Sequence, residues 1–229
     1  MIVAEPKPFA QVKGFIEGYR RILIAGCGAC VTVCHAGGEA EVKTLAAGLR
    51  IARTREGMEA EVLENCVTRQ CEPEFNDPLV QRIREVGAEA VISLACGVGV
   101  NLLAEALGDV PVFPGLNTTF FGGVSEAGTW LELCAGCGEC ILHLTGGICP
   151  VARCAKSIMN GPCGGTNDGK CELGGEAPCA WALIVERMGR LGTLDHLEAV
   201  QPPRDWSTGA YGGPRRLVIE ALQVGAQEQ

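Results

Sequence analysis

The sequence predicts an α/β protein in which a parallel-sheet domain is followed by a cysteine-rich, metal-binding domain. Three observations lead to this prediction. Short apolar runs alternate with helix-like segments in the first half of the chain. Eight of the fourteen cysteines lie between residues 134 and 179. Glycines are frequent between these cysteines and permit the tight turns that a metal-binding loop needs.

The first 120 residues contain a regular strand–helix alternation. The run Arg21-Ile-Leu-Ile-Ala-Gly26 is continuously apolar and ends in glycine, as parallel strands buried on both faces do. Further strands are predicted at 60–65, 88–94 and 110–113, and helices at 7–19, 38–54, 78–86 and 100–107. Right-handed crossovers between such strands predict a Rossmann or flavodoxin-like domain over residues 1–120.

Proline and glycine divide the rest of the chain. They are concentrated in residues 111–128, which predicts a linker between domains. The cysteine-rich domain is predicted over 121–200, with helices at 179–189 and 194–200. Residues 201–229 form an irregular tail containing Trp206 and Tyr211, which either wraps the chain's own surface or contacts a partner.

Composition excludes several classes of protein. The net charge is −8 and no basic stripe is present, which argues against nucleic acid as a partner. No run of eighteen apolar residues suggests a membrane span. The N-terminus lacks a basic region followed by an apolar run, so we expect a cytoplasmic, reducing location and metal-bound thiolates in place of disulfides.

Six cysteines lie in the first half, at or after the predicted strands. Because the carboxyl ends of parallel strands meet at one edge of a sheet, these thiols can converge there on a [4Fe–4S] cluster. We expect Cys71 and Cys96 to be ligands, with three cysteines competing for the other two places. The candidates are Cys27, Cys30, Cys34, Cys71 and Cys96. Cys66, at the end of a strand, is predicted to be a buried small hydrophobe.

No catalytic set stands out in the chain. Gly26-Cys-Gly28 resembles the start of a dinucleotide-binding loop, but Val31 occupies the place of its third glycine. Ser/His/Asp sets, paired carboxylates and Walker loops are absent from the sequence. The chain is therefore predicted to be non-catalytic and to carry no flavin of its own.

The cysteine block supplies eight thiols, enough for two tetrads. Cys134-Ala-Gly-Cys-Gly-Glu-Cys140 places three thiols around one small centre, and Cys149-Pro150 is an ending used by ferredoxin-type cluster runs. Two [4Fe–4S] clusters, or one cluster and one tetrahedral zinc, would use all eight. Predicted cluster ligands are Cys134, Cys137, Cys140, Cys149 and Cys154, and predicted metal ligands are Cys163, Cys171 and Cys179. His143 and His35 are expected beside the ligands, not among them.

Four segments carry a resemblance to a known family. They are Gly26-Cys-Gly-Ala-Cys-Val-Thr-Val-Cys34-His-Ala-Gly-Gly, the Cys134–Cys140 run, Leu144-Thr-Gly-Gly-Ile-Cys-Pro150-Val-Ala-Arg-Cys154, and Asn160-Gly-Pro-Cys-Gly-Gly165 with Gly169-Lys-Cys171. Together they resemble the small, MetV-type iron–sulfur and zinc subunit of bacterial methylenetetrahydrofolate reductase, over nearly the whole chain.

The resemblance implies an electron-transfer role in the Wood–Ljungdahl methyl branch of an anaerobe. It implies two or three [4Fe–4S] clusters, with one zinc as the alternative at a C-terminal site. The implied partners are a MetF-type flavoprotein, which reduces the folate, and an electron donor such as ferredoxin or a heterodisulfide-reductase-like module. Two alternatives remain from the residues themselves: a structural zinc or iron–sulfur scaffold, and a zinc-thiolate methyl-transfer protein.

Overall fold

The computed structural model describes residues 1–173, 175–209 and 212–219. It forms two compact units, Met1–Glu132 and Leu133–Gln229. The first unit contains strands β1 (Ile2–Pro6), β2 (Arg21–Cys27), β3 (Glu61–Val67), β4 (Ala90–Ser93), β5 (Val112–Pro114), β6 (Leu116–Glu126) and most of β7 (Thr129–Cys134). Its helices are α1 (Phe9–Phe15), α2 (Cys30–Val33), α3 (Glu39–Arg55), α4 (Pro73–Glu85) and α5 (Gly97–Leu107). The mixed α/β class with a parallel sheet is confirmed.

The parallel sheet has four strands in the order β3-β2-β4-β5. Strand β2 is central and buried on both faces. Ile22 and Ile24 pack into one apolar cluster, and Leu23 and Ala25 pack into another. Alternate side chains of a strand point to opposite faces, so a continuously apolar strand supplies both layers of core.

The direction of winding reverses at β2. The chain passes from β2 to β3 on one side and then returns to place β4 on the other side. Open α/β sheets bind ligands beside the carboxyl ends of the strands at such a reversal, which here are those of β2 and β4. Cys27 is the last residue of β2, and Cys96 precedes α5 after β4.

A second, antiparallel sheet has the order β1-β6-β7 and was not predicted from the sequence. Residues 2–6 pair with residues 116–121, with a register shift between Val3 and Ala4. The prediction of a linker over 111–128 is wrong, because these residues form β5 and β6. Gly115 marks the passage from one sheet to the other: a Cβ atom there would lie 2.4 Å from a side-chain carbon of Leu94.

Most predicted elements of the first unit are present with shifted ends. Helix α4 begins at Pro73, five residues before the predicted start at Pro78, because Pro73 occupies the first turn, where a missing N–H is tolerated. Helix α1 is shorter than the predicted 7–19. No helix in the described part of the chain is long and apolar enough to cross a membrane.

The second unit has little regular structure. It contains α6 (Pro150–Arg153), a two-stranded ribbon of β8 (Thr166–Asn167) and β9 (Lys170–Cys171), and α7 (Ala180–Leu191). Short 3-10 turns lie at Leu142–Leu144, Leu194–Glu198 and Trp206–Thr208. Trp181, Ile184 and Met188 of α7 form its buried core with Cys179. The predicted tail residue Tyr211 lies outside the described residues.

Candidate metal centres

All fourteen cysteines are free thiols. In the first unit, four of them lie at the carboxyl edge of the parallel sheet: Cys27, Cys66, Cys71 and Cys96. Cys71 follows β3 directly, in the turn that leads to α4. The four residues thus lie at one edge of the sheet, and their convergence on one cluster stays a prediction.

The charges of these thiols act on one another. Burial raises the pKa of Cys71, and the neighbouring Cys27 and Cys96 raise it further. Burial likewise raises the pKa of Cys66, followed by the effect of Cys27 and of two acidic residues on α3. Charge on Cys27 thus disfavours ionisation of Cys66 and Cys71, and charge on Cys96 disfavours that of Cys71.

The prediction that Cys66 is a buried hydrophobe is wrong, because the residue is exposed. Strand β3 is an edge strand, and of its residues Val62 alone is fully buried. Cys66 pairs in register with Gly26, where a Cβ atom would lie 2.9 Å from the Cys66 sulfur. The glycine thus leaves room for this sulfur beside the end of β2, even though part of the thiol is shielded from water.

Cys30 begins the short helix α2, and Cys34 is its C-cap. The Cys34 thiol donates to the carbonyl oxygens of Ala4 at 3.6 Å and Val31 at 3.5 Å. Neither cysteine is among the charged neighbours that shift the pKa of Cys66 or Cys71. The His35 ring packs edge-on against Trp130, with ring centroids 6.3 Å apart.

Gln70 fixes the loops that carry the converging cysteines. It is fully buried, and its amide nitrogen donates to the carbonyl oxygens of Ala25 at 2.9 Å and Gly26 at 3.0 Å. Its amide oxygen accepts a hydrogen bond from Ser93 Oγ at 2.6 Å. One side chain therefore ties the ends of β2 and β4 to the residue before Cys71. No sequence signal distinguished this glutamine.

In the second unit, three cysteine sulfurs accept hydrogen bonds from backbone N–H groups. Gly136 donates to Cys134 at 3.4 Å, and Gly165 donates to Cys163 at 3.4 Å, each across a two-residue turn. The N–H of Ala152 donates to Cys149, the N-cap of α6, at 3.5 Å. Such N–H···S bonds stabilise thiolates and adjust the properties of a metal that they bind.

Three further cysteines surround the core of the second unit. Cys179 lies in the Trp181 cluster, and Cys154 and Cys171 pack against it. Lys156 Nζ lies 3.8 Å from the Cys163 sulfur and forms an ion pair with Glu172, which follows Cys171. The hydrogen bond to Glu172 is the main cause of the raised pKa of Lys156. These contacts group Cys154, Cys163, Cys171 and Cys179 in one region.

The tail contacts the Cys134–Cys140 loop at its middle cysteine, Cys137. Thr208 Oγ donates to the Cys137 carbonyl oxygen at 3.2 Å, and Arg204 Nη2 donates to the same oxygen at 3.5 Å. Over residues 204–209 the tail therefore packs on its own chain, which was one of the two expectations. Trp206 remains 41% exposed, stacked on the Arg204 guanidinium.

The donor set fits a thiolate-bound centre, although the sulfurs do not adopt ligand geometry. Among the described residues, no three His, Cys, Asp or Glu side chains are arranged to hold a metal ion. Nevertheless the sulfurs are free, several accept N–H donors, and two nitrogens of Arg204 beside Cys137 are buried with no acceptor in the described residues. Thiolates with these partners suit [4Fe–4S] clusters or zinc.

Comparison with known proteins finds one family model that resembles the cysteine block. No curated protein and no solved structure matches the chain. Residues 113–207, which include all eight cysteines of the block, match the family described as methylene-tetrahydrofolate reductase C terminal. The second part of the chain is thus similar to the C-terminal domain family of methylenetetrahydrofolate reductase.

Proposed function

We propose that this chain is the electron-transfer and stabilising subunit of a methylenetetrahydrofolate reductase, of the MetV type. The observation that carries the proposal is the match over residues 113–207 to the family described as methylene-tetrahydrofolate reductase C terminal. The matched residues include eight free cysteines. A [4Fe–4S] cluster, when bound, supplies one-electron transfer, whereas reduction of a folate methylene group needs an electron pair. We propose that the flavin of a MetF-type partner converts between the two.

The residues of the second unit support two tetrads. We propose one tetrad from Cys134, Cys137 and Cys140, which lie on the loop that the tail contacts, and Cys149 at the start of α6. Cys154, Cys163, Cys171 and Cys179 form the second set around Trp181 and Lys156. In both sets backbone N–H groups and burial would hold the thiolates and set the potential of the bound group.

The first unit supports a third centre. In its parallel sheet, β3 lies on one side of β2, and β4 and β5 lie on the other. This order supports the flavodoxin-like class. We propose Cys27, Cys66, Cys71 and Cys96 as its ligands, because all four follow or end strands at the carboxyl edge of the parallel sheet. Cys30 and Cys34 remain outside this proposed set.

The Cys154–Cys179 set favours a second candidate function, that of a structural zinc site. Cys179 is buried and three of the four cysteines contact the apolar core of the unit, as in closed zinc sites that stabilise a fold. On this alternative the set contributes to folding and carries no electrons. Zinc and iron counts for the isolated chain separate the two.

The test is anaerobic purification of the chain and of its partner flavoprotein. The chain alone, the flavoprotein alone and the mixture are then assayed. We expect at least about eight irons per chain, the content of two [4Fe–4S] clusters, and reduced-viologen-dependent folate reduction in the mixture. The isolated chain should reduce no folate. Fewer than about four irons after reconstitution, or folate turnover by the isolated chain at the rate of the mixture, contradicts the proposal.

A further inference from the structure

Arg204 is the one cationic side chain that the described tail directs onto the Cys134–Cys140 loop. Its Nη2 donates to the Cys137 carbonyl oxygen at 3.5 Å, and the Trp206 ring lies over the guanidinium at 5.5 Å. Thr208 donates to the same carbonyl oxygen. The arginine is therefore attached to the middle cysteine of the loop from outside the cysteine block.

Close packing fixes the tail in this place. Gly138 has φ of +84°, and a Cβ atom there would lie 2.0 Å from the Thr208 carbonyl oxygen. A Cβ atom at Gly209 would lie 3.0 Å from the Cys137 Cα and carbonyl oxygen. Because both glycines are needed for the approach, the contact is specific to these two segments.

Two donors of the same guanidinium are left without acceptors. Arg204 Nε and Nη1 are buried, and no residue in the described ranges accepts a hydrogen bond from either. Buried charged donors are nearly always paired, so these two N–H groups indicate an acceptor that the described residues do not supply. The indole of Trp206 over the guanidinium offers no lone pair to these donors.

We infer that Arg204 donates Nε–H and Nη1–H to the sulfur of the group bound by the Cys134–Cys140 loop and raises its reduction potential. The inference rests on the proposed function. Reduction adds one negative charge to a thiolate-bound cluster, and a buried cation with two N–H donors stabilises the more negative form. Arg204 is thus a positioning and charge-compensating residue contributed by the tail.

The experiment compares R204M with R190M in the full chain, reconstituted anaerobically. Arg190 is a matched control, because it lies in the same unit, is 68% exposed and pairs with Glu186 on the surface of α7. A redox titration followed by electron paramagnetic resonance measures each cluster. The component that disappears in C137S is assigned to the Cys134–Cys140 loop.

At a fixed ambient potential, we expect the reduced-to-oxidised ratio of that component to fall at least tenfold in R204M, which corresponds to about 59 mV for one electron. R190M should match the wild type. An unchanged ratio in R204M, with wild-type iron content, overturns the inference and leaves the proposed function standing. A wild-type chain without a component sensitive to C137S overturns both.

If R204M loses iron, a second variant, R204K, is measured. It keeps the positive charge and removes the Nε donor. R204K is expected to retain the iron with a ratio between those of wild type and R204M. Iron in R204K as low as in R204M, with the ratio of the remaining clusters unchanged, would show that Arg204 serves folding alone and overturn the inference. G138A should reproduce the lowered ratio, since it displaces the tail while keeping the arginine.

Discussion

Replacement of Gln70 by leucine tests whether one buried amide holds the edge of the sheet that carries Cys27, Cys71 and Cys96. The change keeps the side-chain size but removes three hydrogen bonds, to Ala25, Gly26 and Ser93. Each such bond contributes about 0.5–1.5 kcal/mol net. Ala25 retains the Leu94 N–H as a partner, and Ser93 retains that of Ala95, so the loss is partly relieved. We expect the free energy of unfolding to fall by about 2–4 kcal/mol.

The assay is urea unfolding of the loaded chain, with iron release followed in parallel. The matched control is Q81L, because exposed Gln81 on α4 bonds only to Glu85 and should change stability by less than about 0.5 kcal/mol. Q70E should destabilise more than Q70L, since it directs a buried carboxylate at two carbonyl oxygens. Equal stability of Q70L and Q81L, or a Q70E chain as stable as wild type, would refute the proposed role of this amide.

Four further changes have defined outcomes. Cys96→Ser should remove one cluster's iron and leave the second unit loaded; unchanged iron rules out the first-unit centre. Cys66→Ser should cause the same loss while Cys34→Ser does not, because the Cys34 thiol is bonded to backbone carbonyls; equal iron in both contradicts this ligand set. Trp181→Ala should lower the free energy of unfolding by about 3–5 kcal/mol through the cavity left in the second unit, as measured by denaturation. The pKa of Glu89 lies below 4.5, mainly because two backbone N–H groups at the start of β2 donate to its carboxylate. The stabilisation by Glu89 is therefore present above pH 4.5 and lost as pH falls through the lower folded pKa. The free energies of unfolding of wild type and Glu89→Gln should differ at pH 7 and converge in acid. A difference that stays constant with pH would contradict this.

The sequence by itself determined the elements whose signals are local. The apolar run of β2 could form only a buried strand, and helix α3 followed from apolar residues at helical spacing. The eight cysteines between residues 134 and 179 led to the prediction of metal binding, because thiol spacing and glycine turns are read along the chain. The placement of Cys27, Cys71 and Cys96 at the carboxyl ends of parallel strands followed from the strand–helix alternation.

Tertiary structure decided whatever depends on residues distant in sequence. Strand β1 became visible only through its pairing with β6, which joins Ile2 to Phe121, and a short polar-ended strand carries no local signal for that partner. Cys66 is accessible because β3 lies at an edge and Gly26 leaves space beside it, a property of the sheet and not of either residue. Arg204 meets Cys137 across 67 positions through a fit between two glycine-containing segments, and such long-range complementarity exists only in the folded chain.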